Sequence, residues 1–453
     1  LAMLTTIDGY TNEIPFDPEH KYMATVDMLK NKKQLHMKGA PEVVIKKCKY
    51  VYNNGRLKVL TEKDREKILS MNSRMASAAL RVLALAYSKE GKEENLIFLG
   101  LTGMLDPARS EAKTAIKVCK KAGIRVIMIT GDNAVTAQAI AKELNLRDRV
   151  ITGEELEKIS KNELKHMVRK IDIYARVNPE HKVKILKALQ ENGEIVAMTG
   201  DGINDAPALK AADVGIAMGI TGTDVSKESA DVILLDDNFN SIVYAIKHGR
   251  RIFDNIKKFV KLLLSANFGE IGLIFISLIA GLPLPLLPLQ ILWINLITDS
   301  LPAVALGVDP AEKDIMKRKP RNPKQGILHN NLTFLVMSGI ILTLIGLALF
   351  IPNLENIEKA RTMAVMGLIV FELLLVFVCR SRTKTIFQTN PFSNKLLIIS
   401  VGVSFGLQAL VLYTPLSNLF NLVPLGLTEW AKIFGYSLAG ITVLEVRKLF
   451  LKQ

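Results

Sequence analysis

The sequence predicts an α/β soluble half followed by an all-α bundle of six transmembrane helices. Three observations carry that prediction. Residues 1 to about 258 mix charged and apolar residues as soluble domains do, whereas long apolar runs begin near Val260. Between residues 97 and 236, short apolar strand candidates alternate with helical periodicity, the pattern of a parallel α/β layer. Two of those strand candidates run straight into Gly-Asp turns. At 453 residues there is room for two or three domains.

In chain order the strand candidates are Leu96–Gly103, Arg125–Ile129, Ile195–Met198, Val214–Ala217 and Val232–Leu235. Helices are expected over Ser110–Ala122 and Ala134–Leu144. In such sheets chemistry collects at the carboxyl ends of the strands. The strand ending at Thr130 leads into Gly131-Asp132-Asn133, and the strand ending at Thr199 leads into Gly200-Asp201-Gly202-Ile203-Asn204-Asp205-Ala206-Pro207. The glycines let backbone approach a phosphate. Asp201 and Asp205 offer oxygen ligands for magnesium, which would offset the phosphate charge. Thr130 can hydrogen-bond a phosphoryl oxygen, and Lys182, in the helix opening at Asn178-Pro179-Glu180, brings positive charge. A lone Gly-Asp is a turn in most proteins; two strand-end T-G-D stretches favour a phosphate site. Thr152-Gly-Glu154 reads instead as a helix start after a strand, because Glu155-Leu-Glu continues it.

The apolar segments lie at about 260–282, 286–307, 332–352, 362–379, 396–415 and 429–450. Lys313, Lys317, Arg318, Lys319, Arg321 and Lys324 follow the second segment. Arg380, Arg382, Lys384 and Lys395 follow the fourth, and Arg447, Lys448 and Lys452 close the chain. The alternate loops are nearly free of basic residues, Lys359 and Arg361 excepted, so both chain ends and the soluble half are expected on the cytosolic side. Much of the net charge of +15 sits in these short loops, which points to membrane lipid and away from nucleic acid. Cys48, Cys119 and Cys379 form no C-x-x-C pair and read as reduced thiols. The N-terminus carries no cleavable signal, and its start without methionine fits a truncated sequence.

Polar residues inside the apolar segments carry the second functional signal. Asn267 and Glu270 are three apart on the first span, and Asn295, Thr298 and Asp299 share a face of the second. Glu372 lies in the middle of the fourth. An ionised carboxylate at mid-membrane costs about 2.5–3.5 kcal/mol even on insertion scales. All six residues offer oxygen, which suits a hard cation such as calcium or magnesium. The structural alternative is that Asn and Thr bond between helices while the acids pair with lysines, yet only Lys261 is at hand in the first two spans. Pro302 would loosen the second span, either freeing carbonyls or simply kinking it.

Thr199-Gly-Asp-Gly-Ile-Asn-Asp-Ala-Pro207 resembles the hinge signature of P-type ATPases, whose phosphorylation domain has the haloacid dehalogenase-like fold. Lys38-Gly-Ala-Pro-Glu42 is similar to that family's nucleotide-domain motif, and the resemblance extends to Met104–Arg109, Thr130–Asp132 and the Arg176–Lys182 stretch. It implies part of an α+β nucleotide-binding domain over 1–103, part of the phosphorylation domain over 104–248, and six membrane helices with a cation site over 249–453. It further implies that Phe16 stacks on adenine, that Lys38, Arg81 and Arg176 serve ATP, and that Asp201 holds magnesium. Thr130, Gly131, Asp132, Lys182, Asn204 and Asp205 would then surround the phosphoryl group. Ser265–Glu270 and Trp293–Asp299 resemble the spans of sarco/endoplasmic reticulum-type calcium pumps, so Asn267, Glu270, Asn295, Thr298, Asp299 and Glu372 are expected to bind calcium. Where those pumps continue Asn-Ala-Leu-Asn, this sequence has Leu373-Leu-Leu-Val, which leaves one or two ions open.

The family's D-K-T-G-T motif occurs nowhere in the sequence, and the resemblance implies that the phosphorylated aspartate, the actuator domain and four earlier spans belong to a missing N-terminal part of the same pump. The expected function is ATP-driven calcium transport, with these residues alone inactive. Rival readings are a pump for manganese or sodium, a membrane-tethered phosphatase of the dehalogenase-like fold, and a non-catalytic membrane fragment.

Overall fold

The structure is a computed structural model and describes residues 10–17, 20–29, 32–53, 55–78, 80–105, 108–329 and 331–450. Asp106 and Pro107 of the Met104–Arg109 segment lie outside them. The chain divides into two compact units, Leu1–Val243 and Tyr244–Gln453.

The first unit opens with β1 (Tyr10–Asp17), β2 (Tyr22–Leu29), β3 (Lys32–Gly39), α1 (Pro41–Lys47), β4 (Cys48–Asn53), β5 (Arg56–Val59), α2 (Glu62–Ser77), β6 (Leu80–Ser88) and β7 (Leu96–Leu105). These strands form one seven-stranded sheet in the order β1-β2-β3-β6-β7-β4-β5, antiparallel except between β4 and β7. Thr61 starts α2 with a capping box, its hydroxyl accepting from the Asp64 amide while Asp64 reaches back to the Thr61 amide. Leu35, Met37, Val44, Ile45, Ala84 and Leu96 close the core between sheet and helices.

The placement of β7 corrects the expectation that Leu96–Gly103 belongs to the parallel layer. It pairs antiparallel with β6 from Leu80↔Leu105 to Tyr87↔Ile97. An apolar run of this length records burial and not which sheet provides it.

After β7 come α3 (Ser110–Lys121), β8 (Met128–Ile129), α4 (Ala134–Glu143), β9 (Val150–Thr152), α5 (Gly153–Lys158), α6 (Lys161–Met167), β10 (Ile173–Ala175) and α7 (Pro179–Gln190). They are followed by β11 (Ala197–Gly200), α8 (Ala206–Ala211), β12 (Val214–Met218), α9 (Asp224–Glu228) and β13 (Val232–Leu234). The parallel strands are two sheets of three, β8-β10-β9 and β11-β12-β13, where one layer was expected. β8 and β11 are edge strands. Only Met128–Ile129 of Arg125–Ile129 is laddered, and Ile195 is left 64% exposed. Ile127, Ile129 and Val196 nevertheless pack on one core with Ile185, Ala188 and Leu189 of α7. Thr152 caps α5 with a capping box to Glu155, the helix start expected there.

The second unit is helical. α10 (Phe239–Ile279) is a single helix of 41 residues, roughly 60 Å long and about twice the thickness of a hydrocarbon core. The next span is composite: α11 (Pro288–Trp293), a π-helical segment Ile294–Asp299, and α12 (Ser300–Gly307). Pro302 has no N–H for the carbonyl four residues back, and the ladder just before it slips to wider turns, with the Ser300 hydroxyl donating to the Asn295 carbonyl. α13 (Leu332–Phe350), α14 (Ile357–Cys379), α15 (Lys395–Tyr413), the short α16 (Ser417–Phe420) and α17 (Leu427–Phe450) complete the unit. Among the described residues five helices are long and apolar enough to cross a membrane: α10, the composite span, α13, α14 and α15. α17 has 24 residues but carries Glu429, Lys432, Glu445, Arg447 and Lys448, which keeps it out of that class.

Asp237 closes the loop before α10 in a left-handed conformation, φ +49°. Its carboxylate accepts from the amides of Ile220 and Thr221 at 3.0 and 2.8 Å and from the Thr221 hydroxyl, which holds its pKa down at about 2. The unfolded chain takes up that proton at about 3.9, so the stabilisation is complete above that pH and disappears as pH falls toward 2. Asp237→Asn is expected to lower the melting temperature of the detergent-solubilised chain at pH 7, with the deficit narrowing below pH 4. Equal melting temperatures at pH 7 would contradict this account.

Candidate functional site

Phe16, Lys38 and Arg81 sit on β1, β3 and β6. Lys38 is opposite Leu85, four residues from Arg81 on the same strand, so both share a face of the sheet about 14 Å apart along it. Phe16 is 60% exposed, an aromatic face without a core to fill.

The second group is held by α7. Thr130 and Asp132 follow β8, where the Thr130 hydroxyl donates to the Asp132 carboxylate at 3.0 Å and accepts from the Asp132 amide. The Arg176 amide bonds to the Asp132 carbonyl and the Val177 amide to the Thr130 carbonyl, which ties this strand end to the residues just before α7. Arg176 has φ +50°, and its guanidinium pairs with Glu42 of the Lys38–Glu42 segment. Farther along α7, Lys182 pairs with Asp205. The other Asp205 oxygen accepts from the amides of Asp201 and Gly202, both at 3.2 Å. Gly200 is required here, because a Cβ would stand 2.4 Å from the Asp205 Cβ.

Both oxygens of buried Asp205 are therefore spent on organising the loop, where the sequence suggested a magnesium ligand beside Asp201. Asp201 and Asn204 are exposed, and among the described residues neither side chain has a protein partner. The Asp201 carboxylate is thus the loop's open hard-oxygen donor, which fits magnesium. Thr223, through its amide, and Ser226, through its hydroxyl, hold the Asp201 carbonyl; no spacing signal marked them.

In the second unit Glu270, Asp299 and Glu372 are 4%, 2% and 1% exposed. One oxygen of Glu270, one of Asp299 and both of Glu372 have no hydrogen-bond partner. The three carboxylates lie close enough to interact with one another. Asn295 donates to Glu270 at 3.0 Å and to the Ile291 carbonyl, Asn267 to the Leu263 carbonyl, and Thr298 to the Ile294 carbonyl. Those bonds use both N–H groups of Asn295, one of Asn267 and the Thr298 hydroxyl proton, and leave oxygen lone pairs. Lys261, the nearest basic residue in sequence, places its ammonium over Phe334 at 4.5 Å. Among the described residues no group of three or more His, Cys, Asp or Glu side chains is placed to hold a metal ion.

Three family models match the chain: "P-type ATPase, cytoplasmic domain N" over residues 9–111, "haloacid dehalogenase-like hydrolase" over 180–246, and "Cation transporting ATPase, C-terminus" over 283–450. The chain belongs to the P-type ATPase family. It is 45% identical to calcium-transporting ATPase 1 of Bacillus cereus, with 99% of this chain and 54% of that protein covered. It is 44% identical to the calcium-transporting ATPase of Bacillus subtilis, covering 94% and 50%, and 42% identical to calcium-transporting ATPase type 2C member 2 of Homo sapiens, covering 96% and 47%. The chain spans about half the length of these relatives. With five apolar helices, this P-type ATPase chain is an integral multi-pass membrane protein.

The Lys182–Asp205 pair is mostly buried, so removing the cation strands a carboxylate. Lys182→Met is expected to destabilise the first unit, and Lys182→Met/Asp205→Asn to recover part of the loss. A thermal double-mutant cycle should give a coupling of about 0.5–3 kcal/mol; zero coupling would remove the organising role given to this pair.

Proposed function

We propose that these residues form the ATP-handling and ion-binding parts of an ATP-driven calcium pump that works through an aspartyl-phosphate. The observation that supports this reading best is the set of three buried carboxylates with four unpartnered oxygens among them, on helices that also carry amide and hydroxyl oxygens. Leaving such groups bare in an apolar bundle is costly, and a hard divalent cation offsets their charge. The names of the relatives, calcium-transporting ATPases, agree with calcium as the ion.

In this reading adenine rests on Phe16, and Lys38 and Arg81 reach the phosphates across their shared sheet face. Arg176 joins them when it releases Glu42. Thr130, Gly131, Asp132, Lys182 and Asn204 orient the γ-phosphoryl group, and Asp205 holds the loop that presents Asp201. Magnesium, when bound at Asp201, offsets phosphate charge. An aspartate oxygen attacks the γ-phosphorus as the bond to ADP breaks, and ADP leaves with the electron pair. Water then cleaves the acyl phosphate, releasing phosphate and restoring the carboxylate. That aspartate is supplied from outside these 453 residues, which contain no D-K-T-G-T. Asn267, Glu270, Asn295, Thr298, Asp299 and Glu372 take the ion, α17 serves as the sixth span, and the soluble half faces the cytosol. The domain limits at 103 and 248 belong to the same reading.

Equilibrium binding of radioactive calcium to the chain in lipid nanodiscs tests this assignment. Glu270→Gln, Asp299→Asn and Glu372→Gln should each weaken binding at least tenfold, with excess sodium without effect. Binding that survives all three substitutions would overturn the site, and displacement by sodium or preferential binding of manganese would overturn the ion.

A further inference from the structure

A second buried acid in the helical unit is fully partnered, and its partners come from several helices. Asp309, two residues beyond α12, is 2% exposed. Its carboxylate accepts from Lys258 of α10 at 2.8 Å, from Arg380 at the end of α14 at 3.0 and 3.1 Å, and from Asn394, the N-cap of α15, at 3.0 Å. Among the described residues it is the one acid that either Lys258 or Arg380 meets. The backbone is tied at the same place. Asn255 donates to the carbonyls of Gly307 and Asp309, Arg251 to those of Val308 and Asp309, and Asn394 to that of Ala305. The carbonyls at the end of α12 are thereby capped by side chains of α10 and by the N-cap residue of α15.

We propose that Asp309 is a positioning residue: it fixes α10, α12 and α14 to one another at a single point and so sets the spacing of the carboxylates they carry. Glu270 lies 12 residues from Lys258, Asp299 ten from Asp309, and Glu372 eight from Arg380. At about 1.5 Å per residue these are roughly 18, 15 and 12 Å along three helices. A tilt at the common anchor is thus carried to all three acids, and an anchored base keeps them in register. Two cations around one carboxylate make the hub sensitive to loss of that charge, because Lys258 and Arg380 would then be buried facing each other. The link to calcium rests on the cation site proposed above; the link to helix spacing does not.

The test combines a distance with an affinity. Spin labels at Ile271→Cys and Leu296→Cys, both lipid-exposed neighbours of site residues, report the separation of α10 from the composite span. Cys48, Cys119 and Cys379 are buried and take up little label. Asp309→Asn is expected to broaden the electron–electron distance distribution and to weaken calcium binding at least tenfold. The neutral hub Lys258→Met/Asp309→Asn/Arg380→Gln should recover the melting temperature, since no uncompensated cation remains, yet keep the broadened distribution. Asp314→Asn, half-exposed and bonded to Arg318, should change neither readout. A parental distribution in Asp309→Asn, or recovery of distance together with melting temperature in the neutral hub, would overturn the positioning role. If the distribution broadens while the parent chain binds no calcium, the hub stands and the calcium assignment falls.

Discussion

Three carboxylates inside an apolar helical bundle constrain the rest of the second unit. Each would be expelled toward water unless the helices carrying it were held where an ion can be shared. The surrounding structure answers that demand locally. The neutral polar residues of the cluster spend their N–H and O–H groups on their own helix carbonyls or, for Asn295, also on Glu270, and so present oxygen inward. The wider turns before Pro302 span Asn295, Thr298 and Asp299, which places the backbone irregularity at the polar residues and not at random. Close packing fixes α10 on the other side. A Cβ on Gly269 would stand 2.4 Å from Leu342, one on Gly272 the same distance from the Thr343 hydroxyl, and that hydroxyl bonds the Gly269 carbonyl at 3.1 Å. Glu270 is thereby held beside a helix-helix contact that only glycines permit.

The soluble unit solves a related problem with opposite means. Its acids are not left bare: Asp205 is saturated by Lys182 and two amides, and Asp237 by two amides and a hydroxyl. Saturated carboxylates stiffen loops, and the exposed Asp201 is left for external chemistry. The two strand ends share α7 as their support, through Arg176 and Val177 on one side and Lys182 on the other. A helix start that carries both anchors sets the separation of the two turns more firmly than either turn could by itself.

How much of this was legible in the sequence depended on the range of the interaction involved. Helix starts were readable because their caps are local: Thr152 with Glu155, and Asn178 before Pro179. The polar residues of the membrane segments were readable because a carboxylate in an apolar run contradicts its surroundings. The family resemblance on Thr199–Pro207 was likewise carried by contiguous residues, and the haloacid dehalogenase-like model covers that stretch. Strand partnership was not readable. β7 and the later parallel strands are equally apolar, and β9 and β10 are only three residues long, too short for a pattern. The pairings of Arg176 with Glu42 and of Asp309 with Lys258 and Arg380 were not readable either, since each joins residues 51 or more apart.

α10 is bonded in its middle and packed beside its site residue. Lys258 and Glu270 lie 12 residues apart on it, roughly 18 Å along one unbroken ladder. A helix transmits displacement only if it neither bends nor slides, and the residues of α10 address both requirements. No proline interrupts Phe239–Ile279, so the ladder has no built-in hinge of that kind. Arg251, Asn255 and Lys258 bond its middle to the end of α12, which resists sliding against the span that carries Asp299. A displacement of α10 at Lys258 would therefore move the Glu270 and Asp299 helices together at the hub. Relative motion of those two acids would have to come from flexure above it, where the π-helical turns supply the compliant segment.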